Sequence, residues 1–235
     1  MYAYLESLDL DEVGYTLRTA SLMTQPEDHF DPGNAADYAV FGIRYLMLPA
    51  LPAVRGGPAP PPGAVLLLRD RLLRVYELPA NSYFRVADTT GSITASRASL
   101  GRRTAAYLRS AAPGEDHYLA VGYAGARPAP LTLPPGARVA GPPGTVLAEH
   151  ADLARGRATA VVRLRRPGVV VLSASFDPGW RVLLDGRPAV VQMVSPALVA
   201  VRVRPGRHTV LFQYVGFGGY PWLLLLAVVS LLAVT

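Results

Sequence analysis

Near the C-terminal end of the chain Val199, Val201 and Val203 interleave with Ala200, Arg202 and Arg204. A two-residue period places these sets on opposite faces of a strand, so the valines predict a buried face and the other set a face toward water. Five further runs of strand-like composition crowd around this one: residues 159–164, 169–176, 180–184, 188–194 and 208–215. Their separators are Arg166-Pro167-Gly168, Asp177-Pro178-Gly179, Asp185-Gly186, Ser195-Pro196 and Arg204-Pro205-Gly206. Short strands at close spacing with Gly/Pro turns predict an antiparallel β-sandwich, here of jelly-roll kind. Asp185-Gly186 has the composition of a type I′ hairpin turn, which requires positive φ at both central positions.

Upstream the periods are mixed. Residues 2–23 carry apolar positions at loose helical spacing, and residues 35–41 predict a short helix running into a buried strand at 43–48. The Pro/Gly-rich stretch 52–63 cannot sustain a ladder of backbone hydrogen bonds and reads as a loop. Strands at 64–69 and 72–78 flank Asp70-Arg71 as a hairpin, a further strand covers 83–87, and 88–92 reads as a turn. Residues 99–109 predict a helix capped by Ser99, followed by a strand at 117–123 and a proline-rich loop at 127–144.

The chain changes character at Tyr220. From there to Val234 no residue is charged, and Tyr220 and Trp222 stand where aromatic side chains favour the membrane headgroup boundary. The run through Thr235 reads as the start of a transmembrane helix that inserts in a lipid bilayer, although a full span needs about 20 residues. The expected class is therefore mainly β with some α. Three regions are expected: an N-terminal helix and strand segment over 1–80, a β-sandwich over 81–217, and the transmembrane start over 218–235.

Composition narrows the chemistry. The 235 residues are 51% apolar and 17% charged, and cysteine is absent, which removes disulfides, thiolate catalysis and Cys-type zinc sites. The net charge of +6 comes from 23 basic residues, all Arg, scattered from Arg18 to Arg207. With no compact basic stripe and no nucleic-acid motif, this reads as compositional bias, and nucleic acid is not an expected partner.

Few residues suggest a site. Trp180, after a Pro-Gly turn, has two roles open to it: a stacking platform for a pyranose ring, or, as the preferred reading, a packing residue inside the sandwich. His29, His117, His150 and His208 lie far apart and form no ligand motif. Asp28, His29 and Asp31 form a dense acid/His cluster between prolines, and Glu115-Asp116-His117 a smaller one; both read as polar loops. Asp185 lacks neighbouring carboxylates for calcium. No nucleophile elbow, phosphate loop or dinucleotide fingerprint occurs, so no catalytic, cofactor or metal residue is assigned.

One set of motifs adds to this. Asp177-Pro178-Gly179-Trp180, then Asp185-Gly186-Arg187-Pro188, then Val203-Arg204-Pro205-Gly206-Arg207-His208-Thr209-Val210 resembles the C-terminal region of the YfhO family of bacterial membrane proteins. Phe41-Gly42-Ile43-Arg44-Tyr45-Leu46 and Arg74-Val75-Tyr76-Glu77 are similar to that family's strands after its last periplasmic helix. The resemblance implies an extracytoplasmic, non-catalytic domain in the bacterial cell membrane. By the same resemblance, the domain would belong to a polytopic protein of glycosyltransferase type that uses polyprenyl-phosphate sugars to decorate an envelope polymer. The catalytic acid of such proteins lies among transmembrane helices outside this chain. Implied partners are the bilayer, the membrane part of the same protein, and an envelope glycan. The alternative is a membrane-anchored carbohydrate-binding module acting alone.

Overall fold

Asn34 starts the first well-formed helix because its side-chain Oδ1 accepts a hydrogen bond from Ala36 N, satisfying an orphan donor of the first turn. The structure, a computed structural model, describes residues 21–50, 59–79, 82–135, 137, 139–216 and 220–234. The helical reading of 2–23 and the loop reading of 52–63 therefore fall largely outside the described residues. After α1 (Thr24–Glu27) and α2 (Ala35–Val40), the strands β1 (Tyr45–Pro49), β2 (Val65–Arg69) and β3 (Leu73–Glu77) form a small antiparallel sheet in the order β1-β3-β2.

The remaining strands form two layers. β4 (Phe84–Ala95) leads through α3 (Leu100–Leu108) into β5 (His117–Tyr123), and β6 (Gly144–Asp152), β7 (Arg157–Leu164), β8 (Gly168–Ser175) and β9 (Trp180–Leu184) follow. β10 (Arg187–Ala189), β11 (Val191–Val194), β12 (Leu198–Val203) and β13 (Gly206–Tyr214) precede the final helix α4 (Tyr220–Val234). One layer is an antiparallel sheet in the order β10-β9-β13-β7-β6; the other is a closed barrel, β11-β12-β8-β4-β5.

Strand alternation feeds two cores at once. Val199, Val201 and Val203 of β12 join Phe84, Val170 and Leu172 of the barrel against Val162, Val182, Val210 and Phe212 of the sheet. Leu198 and Ala200 point the other way, into a core with Tyr118, Val121, Leu100 and Leu108. Of the three positions expected to meet water, Ala200 is thus buried, while Arg202 and Arg204 are exposed.

Four expectations are corrected. The turn read at 88–92 is instead the middle of β4, which pairs with β8 through Phe84–Ala87 and then with β5 from Asp88 onward. The pairing of β4 with β5 is parallel, because α3 provides the crossover that a parallel pair requires, so the strands are not all antiparallel. The single strand read at 188–194 is two short strands, β10 in the sheet and β11 in the barrel. Ser99 occupies the N-cap position of α3 without bonding its helix; its Oγ accepts from Ser96 N instead.

Candidate functional site

The Asp185-Gly186 dipeptide makes the tight turn between β9 and β10, with φ of 52° at Asp185 and 76° at Gly186, the left-handed pair that a type I′ hairpin demands. The turn is tied to the neighbouring strand. Asp185 Oδ1 accepts from Thr209 N at 2.8 Å, and Oδ2 accepts from His208 Nδ1 at 2.7 Å. These bonds, the one from His208 above all, hold the Asp185 carboxyl below its ordinary range. The far side of the same imidazole lies against Gly206, where φ is 135° and a Cβ would sit 3.0 Å from His208 Nε2. The Asp-Gly and Gly-x-His motifs thus form one structural clasp between β9–β10 and β13.

Beside the clasp opens a groove of about 1170 Å³. Leu184 and Ala189, which also pack on the inter-layer core, and Pro167, Pro188 and Pro205 give it apolar walls. Arg187 from β10, Arg202 from β12 and Arg204 from the turn before β13 also line it. All three arginines are exposed, and among the described residues none has a carboxylate within ion-pair distance. Arg202 donates to the Pro130 carbonyl at 3.2 Å. Asp185 is the acidic residue of the lining, and both its oxygens are occupied by the clasp. Sequence reasoning missed this cluster because its three arginines are spread over residues 187–204 and meet only when the β9–β10 hairpin and the end of β12 are brought together.

The residues singled out from sequence lie elsewhere. Trp180 is 7% exposed, edge-on to Phe212 at 6.4 Å and tilted against Tyr214 at 5.4 Å, and its indole N–H donates to the Ser175 carbonyl at 3.0 Å. Its rings are packing surface. Asp31 belongs to the loop that starts α2: its Oδ1 accepts from Gly33 N, and its own N–H donates to Asp37. Asp116 pairs with Arg85 at 2.6 Å, while His117 lies 3.4 Å from Glu115. The structure does not bring His29, His117, His150 and His208 together, and no group of three metal-capable side chains occurs among the described residues.

A buried ion pair also escaped sequence reasoning. Asp88, 1% exposed, takes Arg166 Nη1 on both oxygens at 2.6 Å and the Thr132 hydroxyl at 3.2 Å. It pins the proline-rich loop to the barrel where a turn was expected. No family model, curated protein or solved structure matches the chain.

Proposed function

We propose that the chain is a non-catalytic extracytoplasmic domain of a polytopic bacterial membrane protein resembling the YfhO-type glycosyltransferases, supporting glycosylation of a cell-envelope polymer. In this reading its two β layers form a sandwich of jelly-roll kind with one layer curled shut, and the apolar segment from Tyr220 to Thr235 meets the bilayer.

The observation that carries the reading is the exposure of α4. Trp222, Leu223, Leu224, Leu225 and Leu226 are 53–71% exposed, as are Val229 at 57% and Leu231 at 68%. A soluble domain does not leave such a surface in water, so an apolar phase or partner is the natural complement. β2 adds Val65, Leu66, Leu67 and Leu68, each 46–59% exposed on an edge strand. No helix among the described residues is long and apolar enough to cross a membrane. The fifteen residues of α4 span about 22 Å at 1.5 Å per residue, against a hydrocarbon core of about 30 Å.

A membrane-anchored carbohydrate-binding module is the second reading, favoured by the open groove, which a free-standing binder would use directly.

Sidedness tests the proposal. The chain has no cysteine, and the Arg155 side chain is 84% exposed, so Arg155→Cys provides a single reporter thiol. In intact cells producing the protein, a membrane-impermeant maleimide is expected to label this thiol before lysis. Labelling only after lysis would place the domain in the cytoplasm and end the proposal.

A further inference from the structure

We infer that the groove beside the Asp185–His208 clasp binds a phosphoryl group, an activity that does not depend on what the rest of the molecule does. Three arginines line it from three places, the end of β12, the turn after it and the edge strand β10. Like charges gathered in excess of counter-charge repel one another. Four arginines elsewhere each pair with a carboxylate: Arg44 with Glu77, Arg85 with Asp116, Arg155 with Asp152, Arg166 with Asp88. In the groove the one carboxylate of the lining, Asp185, is held by Thr209 and His208 and stays ionised, with Arg187 near enough to favour its charge, so three cations share one anion. The excess positive charge therefore faces an open, partly apolar cleft.

The number and type of the cations select the ligand. A carboxylate has two oxygens and is satisfied by a single guanidinium fork, whereas a phosphoryl group presents three terminal oxygens and up to two charges. Three arginines on a rim suit the second. The apolar walls at Leu184, Ala189, Pro167, Pro188 and Pro205 leave room for the uncharged body that carries the phosphate. Among the described residues no side-chain hydrogen bond holds Arg187 or Arg204, and Arg187 acts on the Asp185 carboxylate through its charge.

The chemistry is shared by soluble phosphate esters and by lipid headgroups, and two measurements separate these sources. The first titrates the full chain with pyrophosphate at low ionic strength by calorimetry. The variant R187Q/R204Q is compared with the control Arg155→Ala, whose residue lies outside the groove. Saturable binding is expected, weakened at least tenfold in R187Q/R204Q and unchanged in Arg155→Ala; glucuronate should bind at least tenfold more weakly than pyrophosphate. The second compares parent and R187Q/R204Q on phosphatidylglycerol vesicles, where both proteins carry the same α4 and their difference isolates the groove. A difference on vesicles alone assigns the site to lipid headgroups, and saturable pyrophosphate binding assigns it to soluble phosphate esters. Circular dichroism and the melting temperature confirm that the double variant folds like the parent. The inference is overturned by equal losses in R187Q/R204Q and Arg155→Ala, by glucuronate binding as tightly as pyrophosphate, or by a folded double variant indistinguishable from the parent in both measurements.

Discussion

Trp180 concentrates several interactions in one side chain. Its indole packs between Phe212 and Tyr214, its N–H is satisfied by Ser175, and its neighbours Val182 and Phe212 belong to the core joining the two layers. Trp180→Ala removes all of these and leaves a cavity between layers that cannot close without shifting strands. The expected cost is about 3–5 kcal/mol, read as a sharply lowered midpoint in chemical or thermal unfolding. A variant within about 0.5 kcal/mol of the parent would show that the site is effectively open. The packing role was visible in sequence from the alternation of Trp180, Val182 and Leu184. The clasp was only half visible: Asp185-Gly186 announces its turn, but nothing in the local sequence says that His208, 23 residues on, will hold it.

At the scale of elements, α2 shows how a helix start can carry a pH dependence. Asp37 is 1% exposed, and burial pushes its carboxyl up to about 6, with the charge of Asp31 adding to the rise. The N–H of Asp31 and Nδ2 of Asn34 donate to it at 2.9 Å each and oppose the shift without cancelling it. The folded state therefore holds the proton more tightly than the unfolded chain, whose carboxyl titrates near 3.8. The stabilisation this brings is present in full below about 4 and is lost as pH rises through about 6. Comparing unfolding free energies of the parent and Asp37→Asn across that window, the parent's advantage should shrink as pH rises. An advantage that grows would mean that the two donors dominate and the carboxylate is favoured in the fold.

Elements also mark where sequence pattern loses its information. β6 was not foreseen: it is an edge strand, mostly exposed from Thr145 to His150, and its two core contacts, Val146 and Ala151, lie on either side of a bulge that breaks the alternation. β4 was cut short because Asp88 to Ser92 has turn composition. Tertiary partners, Arg166 and Thr132 on Asp88 and the parallel neighbour β5, overrode that preference. The strands of the inter-layer core were legible because each commits at least one face to apolar packing, as the alternating burial of β7 shows. The groove was not, since surface arginines carry no periodicity and only the topology assembles them.

For the whole molecule, the sheet and barrel satisfy their own ladders, while α4 buries none of its described side chains against them. In the proposed function, residues 220–235 are the domain's connection to the membrane and not part of its core. Flotation on neutral phospholipid vesicles tests this most directly, using the full chain and a chain lacking residues 220–235, with circular dichroism on the same samples. The full chain should rise with the vesicles, and the shortened one should stay at the bottom with its β signature intact. A shortened chain that unfolds, or a full chain that remains in the aqueous layer, would contradict the claim and return α4 to the interior of the protein.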